Sequence, residues 1–159
     1  MWTKALKLLN RIVENITAFM LATMVVLVFV QIVSREIIGS SFSWTEELSR
    51  YLMIWITFLG ASFAFQYGAH IGIEFIKTRL PSFFEKMFTL LSFICCSFFF
   101  YLMVVYGFDI VGRQMGQTSP ALNIPMGYVY LVIPISAILM FINLLDVTIK
   151  SLKGERLYG

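Results

Sequence analysis

The sequence predicts an all-α integral membrane protein: one membrane domain over residues 1–159, with four transmembrane helices and both termini in the cytoplasm. Composition is the first observation behind this. Of the 159 residues 59% are hydrophobic and only 13% charged, with a mean hydropathy of +0.84, whereas a soluble domain has roughly 45–50% apolar and about 25% charged residues. A chain this short cannot enclose so much apolar surface within itself, so lipid is its solvent. The second observation is the pattern: four apolar runs, each near the ~20 residues that a bilayer crossing needs, separated by polar segments. The third is charge. Alternate connecting segments, beginning with the N-terminus, hold nine of the Lys and Arg residues and the others three, and the excess of basic residues marks the cytoplasmic side.

The first span covers residues 16–33. Lys4, Lys7 and Arg11 precede it, as they would precede a secretory signal, but the run is longer than a signal core and no small-residue cleavage site follows; an uncleaved span is expected. The second span, 48–67, follows Ser43-Trp44-Thr45-Glu46, which has the serine-to-glutamate spacing of a capping box, so its helix is expected to start before the apolar part. The third, 87–108, comes after Pro81, a residue suited to a turn or a first helical turn. The fourth, 125–145, opens at Pro125 and contains Pro134, which removes one backbone donor and should kink the helix locally.

Polar residues narrow the function. None of the charged residues falls mid-span, where a charge is costly and is usually kept for an ion or proton path. Nor is there a matched pair of Gly- or Pro-broken half-helices, the pointer to a midplane substrate site. Glu14 is the nearest approach to an intramembrane acid, of the kind one family of small four-helix exporters uses. It stands before the apolar run and three residues after Arg11, a partner within reach on a helix. His70 is the only histidine, which excludes a haem held by two histidines of one subunit and leaves zinc without a ligand cluster. Cys95 and Cys96 are adjacent within the third span and read as small apolar fillers. No catalytic residue, metal or cofactor is expected in this chain, and the short basic blocks between spans mark topology rather than nucleic-acid binding.

The stretch 42–70 is the most informative. Glu46 and Glu47 precede Arg50 at i+4 and i+3, so both carboxylates are expected to reach its guanidinium at the outer membrane surface. Trp44 and Tyr51 suit an interfacial belt. Gly60, Ala64 and Gly68, spaced by four, form a small-residue stripe on which another helix can approach closely.

The pattern Trp44-x-Glu46-Glu47-x-x-Arg50-Tyr51, then Trp55, Phe58-Leu59-Gly60-Ala61 and His70-Ile71, resembles the small membrane subunit of the tripartite ATP-independent periplasmic (TRAP) transporters. Ser119-Pro120-Ala121-Leu122, with Ile124-Pro125 and Tyr128, is similar to that family's segment before its last span. One departure is Gln66, near where the family pattern carries a basic residue before the histidine. The resemblance implies a sodium-driven importer of organic acids in a bacterial or archaeal inner membrane. An extracytoplasmic binding protein delivers substrate to two membrane subunits, the large one holds the substrate and sodium sites, and the small one braces it. On that reading Trp44, Glu46, Glu47, Arg50, Trp55, Gly60, Ala64, Gly68 and His70 are the expected interface with partners. A self-assembling exporter and a redox-enzyme subunit are the other classes, the first disfavoured by the missing midspan acid and the second by the solitary histidine.

Overall fold

A computed structural model describes residues 2–39, 42–66 and 82–153, and it is helical almost throughout. The helices are α1 (Trp2–Ile38), α2 (Ser43–Ala64), α3 (Ser82–Gln114), α4 (Met126–Tyr130) and α5 (Val132–Lys153). Among the described residues the one extended pairing is an isolated antiparallel bridge between Thr118 and Pro125. Among the described residues three stretches are long and apolar enough to cross a membrane, Lys4–Ile37, Met87–Gln114 and Met126–Lys150. The expected second span falls on α2, which carries Glu46, Glu47 and Arg50 in its first two turns and so is not of that apolar kind over its described length.

The helices stand in a row rather than around a common centre. α1 packs on α2, α2 on α5 and α5 on α3, while α4 lies against α3. Two apolar clusters join them. Val13, Leu59 and Val132 form one, with Met20, Trp55 and Phe58 against it, so that α1, α2 and the start of α5 meet. Phe100, Met140 and Leu144 form the other, flanked by Phe65, just past the end of α2, and by Phe93 and Cys96 of α3. Cys96 thus fills apolar space, as expected.

Outside those contacts the helices are bare. On α1 the residues toward α2 (Val13, Thr17, Met20, Leu27, Ser34) are buried or half-buried, whereas Phe19, Val26 and Phe29 are exposed. In water such a surface would drive aggregation; in a bilayer it meets acyl chains at no cost.

Pro134, where a local kink is expected, is preceded by a one-residue interruption of the helix. Its ring nitrogen cannot donate to the Tyr130 carbonyl, and the helix is interrupted at Leu131, between α4 and α5. Two glycines make room at this point. A Cβ on Gly107 would lie 3.0 Å from Cδ of Pro134, and one on Gly127 would lie 2.9 Å from the Val111 carbonyl oxygen and 2.7 Å from the Met115 sulfur. Gly127 therefore lets α4 sit directly on the end of α3.

Candidate functional site: the two ends of the helix row

The site begins where α2 begins. Phe42 is extended (φ −75, ψ 117) and is the residue before the helix; no side chain caps it. The expected capping box is therefore not formed, because Ser43 is already inside the helix and Glu46 turns forward, its carboxylate 3.0 Å from Arg50. Thr45 instead anchors the start, its hydroxyl and its amide both donating to the Phe42 carbonyl at 2.7 and 3.1 Å. The helix does start ahead of its apolar part, as the sequence indicated.

Glu47 corrects the expected acidic and basic cluster. It lies one residue beyond Glu46, about 100° around the helix, and points inward, away from Arg50. Its Oε2 accepts from the backbone amides of Ala121 at 2.7 Å and Leu122 at 3.1 Å, and its Oε1 accepts from the Tyr51 hydroxyl. The Tyr51 oxygen also lies 3.3 Å from the Met126 sulfur, so one short stretch of α2 grips both sides of the 115–125 connection. Burial acts to raise the Glu47 carboxyl. The bonds from Tyr51, Ser119, Ala121 and Leu122 together outweigh it and hold the group below the ordinary glutamate value.

The connection is built to offer those amides. Pro120 sets the entry to the turn and has no N–H of its own, so Ala121 and Leu122 supply the first free donors after Ser119. Asn123 closes the turn at φ 53, a left-handed conformation that asparagine tolerates better than most residues. Its amide donates to the Ser119 carbonyl at 3.1 Å, while Ser119 donates to the Ile124 carbonyl at 2.9 Å and Met126 to Gln117 at 2.8 Å.

The outward face of α2 runs down from this end. Glu46, Arg50, Met53 and Thr57 are exposed and Gly60 and Ala64 half-buried, a sequence of i+3 and i+4 steps along one side. A Cβ on Gly60 would meet nothing within 4 Å. Gly60 is therefore not a close-approach point between the described helices of this chain. Of the other expected interface residues, Trp44 is exposed beside Phe42, with ring centroids 6.4 Å apart. Trp55 packs on the Val13–Leu59–Val132 cluster. Gly68, His70 and the turn residue Pro81 lie outside the described residues.

At the opposite end of the row, sequence reasoning missed a buried amide cluster. Asn10 of α1 and Asn143 of α5 are 2% and 1% exposed. Asn10 Nδ2 donates to Asn143 Oδ1 at 2.7 Å, and Asn143 Nδ2 donates back to Asn10 Oδ1 at 3.0 Å. Asn143 also donates to the Ser62 carbonyl at 2.8 Å, and Asn10 to Gln66 Oε1. Three helices are tied by side chains whose hydrogen-bonding groups are nearly all satisfied among themselves. Asn143, a lone amide inside the last apolar run, was the available signal, since such a group in lipid must find a partner. One turn further along, buried Asp146 takes Lys150.

Comparison with known proteins bears on what such an assembly is. Residues 24–154 match the family described as tripartite ATP-independent periplasmic transporters, DctQ component. A TRAP transporter small permease protein of Haemophilus influenzae is 32% identical over 136 residues, covering 83% of this chain and 82% of the relative. The C4-dicarboxylate TRAP transporter small permease protein DctQ of Rhodobacter capsulatus is 27% identical, covering 89% and 77%. The sialic acid TRAP transporter permease protein SiaT of Haemophilus influenzae is 23% identical; there 96% of this chain matches but only 25% of the longer relative. These relatives are transporter proteins, and the apolar helices agree with a multi-pass membrane protein. With a match over most of its length and the Glu47-held Ser-Pro-Ala-Leu turn in place, the chain belongs to the DctQ family of TRAP transporter small permease proteins.

Proposed function

We propose that this chain is the accessory small subunit of a sodium-coupled, binding-protein-dependent importer of organic acids in a bacterial or archaeal inner membrane. It braces a large transport subunit, which carries the substrate and sodium sites. C4-dicarboxylates, sialic acids and related carboxylates are the substrate class, in keeping with the names of the relatives.

One observation carries this reading beyond family membership. The buried polar side chains Asn10, Glu47, Asn143 and Asp146 are spent on contacts between helices, turns or neighbouring turns of this same chain. A subunit that moved a carboxylate across the membrane would need polar groups facing a path. A brace needs them turned inward to fix its own shape, with apolar faces turned out.

The topology follows the same logic. The first two turns of α2, with Glu46, Glu47 and Arg50, lie at the membrane surface on this reading, and its apolar part from Tyr51 onward enters the hydrocarbon core. α2 comes next after α1 and packs beside it, which supports reading it as the second of four crossings with both chain ends in the cytoplasm. The outward face of α2 through Gly60 and Ala64 is the contact with the large subunit. Lipid gives no hydrophobic drive between helices, and close packing at small residues supplies it instead.

The test is reconstitution in liposomes. Uptake is expected only when this chain, the large subunit, the binding protein and a sodium gradient are all present. Substrate flux through this chain alone would overturn the accessory role.

A further inference from the structure

We propose that the start of α1 is a binding strip for anionic phospholipid: Lys4, Lys7 and Arg11 hold the phosphates of lipids whose acyl chains run along Leu8 and Ile12. This role is separate from the proposed bracing of a large subunit and needs only that α1 crosses the bilayer.

α1 is one unbroken helix of 37 residues, about 55 Å long, while the hydrocarbon core is about 30 Å thick. With the span expected over 16–33, the part from Trp2 to Asn15 reaches beyond the core. Three stripes divide that part. Leu6, Asn10 and Val13 are buried against the rest of the chain, and the bonds of Asn10 to Asn143 and Gln66 fix how the segment is turned. Lys4, Lys7 and Arg11, at i+3 and i+4 steps, form a second stripe and are all exposed. Leu8 and Ile12, 61% and 48% exposed, form a third beside it.

The third stripe points to the occupant. It runs on through exposed Ile16 and Phe19 into the face of α1 that meets acyl chains, so a lipid packed on that face carries its polar head to where the cations stand. Water suits the cations but not Leu8 and Ile12, and hydrocarbon suits the reverse. A phospholipid has both characters in the same order. A lean of the long helix brings Leu8, about 12 Å before Ile16, into the headgroup layer, and the flexible stems of the cations lie along the apolar stripe while their charges reach phosphate. The complement must be anionic. Residues 1–15 hold one acid, Glu14, and among the described residues none of the three cations forms a salt bridge. A zwitterionic headgroup brings its own ammonium and is attracted less than one of net negative charge. Because the strip lies on a helix already locked by Asn10, holding a lipid there costs little ordering of the protein.

The experiment reconstitutes this chain with its large subunit in vesicles of equal parts phosphatidylglycerol and phosphatidylcholine. Leu8 is replaced by a photo-crosslinking amino acid, and the adducts are identified by mass spectrometry. Phosphatidylglycerol adducts should exceed phosphatidylcholine adducts roughly fivefold, the enrichment that a single cation near the surface supplies. Combining Lys4→Gln, Lys7→Gln and Arg11→Gln should bring the ratio close to one, and high salt should do the same with the three cations in place. An equal ratio with the cations present, or a ratio that ignores salt, overturns the proposal. Labelling of the large subunit in place of lipid also overturns it, by assigning the face to a protein contact, and so does the absence of any adduct, which would put Leu8 in water. None of these outcomes touches uptake by the complete system, which tests the accessory role on its own.

Discussion

Asn10 and Asn143, 133 positions apart, exchange two side-chain hydrogen bonds at 2.7 and 3.0 Å. A reciprocal amide pair joins α1 to α5 directly, although the two helices are not among the extensively packed pairs. Interhelical hydrogen bonds in membranes are worth about 0.6 kcal/mol on average and up to about 1.7. A double-mutant cycle of Asn10→Ala and Asn143→Ala in unfolding from mild detergent should therefore give a coupling energy near ~1 kcal/mol. A coupling of zero would mean that each amide is equally well served by other groups.

Acid should loosen the opposite end. The folded Glu47 carboxyl lies below its ordinary value of 4.5, so the folded state holds fewer protons there than the unfolded one. Its contribution to stability is complete above pH 4.5 and is lost as pH falls through the folded value. The difference in thermal midpoint between wild type and Glu47→Gln is expected to be constant above that point and to shrink below it. A difference that grew on acidification would reverse the sign of the argument.

Gly127 and Gly60 should respond oppositely to an added methyl group. At Gly127 the methyl meets a backbone oxygen and a sulfur at under 3 Å, whereas at Gly60 it meets nothing within 4 Å. Gly127→Ala should cost about 1–3 kcal/mol through overpacking. Gly60→Ala should leave the isolated chain as stable or slightly more so. Unfolding of the purified subunit distinguishes them, while copurification of Gly60→Leu with the large subunit, expected to fall, reports on the proposed interface.

Arg50→Ala should barely affect the chain on its own. Arg50 and Glu46 are 63% and 56% exposed at the side chain, and a pair so open is worth about 0–1 kcal/mol. Unfolding should shift by no more than that. A large drop in assembly with the large subunit would then belong to the partner contact, because Glu47 does not depend on Arg50.

Reporter fusions at the two termini test the topology. A reporter active only in the cytoplasm should work at both ends, and a periplasmic signal at the C-terminus would remove one crossing from the proposed four.

The helical class and the interruption before Pro134 were legible because they depend on local chemistry: runs of apolar side chains, basic blocks between them, and a missing backbone donor. Glu47 was not. Spacing along one helix places it within reach of Arg50, and nothing in that local pattern weighs this against two amides supplied by a turn before the last span. The resemblance did pick out both Glu47 and Ser119-Pro120-Ala121-Leu122, but as separate motifs, and their contact emerges only in three dimensions. Gln66 shows the same limit. It reads as a departure from a pattern, whereas in the fold its carbonyl is the acceptor for Asn10. Asn10 itself stands ahead of the first apolar run, where an asparagine carries no local signal.

The order of helices in space has a consequence for how the chain is made. α1 and α2 are neighbours in sequence and in space, so they can leave the translocon as a hairpin. Among the described helices α3 has no such companion before it in the chain. Its main contact is α5, which follows it in the chain and also stands against α2. Until α5 enters the bilayer, the described helices of the nascent chain are a paired hairpin and a third helix still awaiting its main partner. Asn143, carried on α5, then closes against an asparagine translated 133 residues before it.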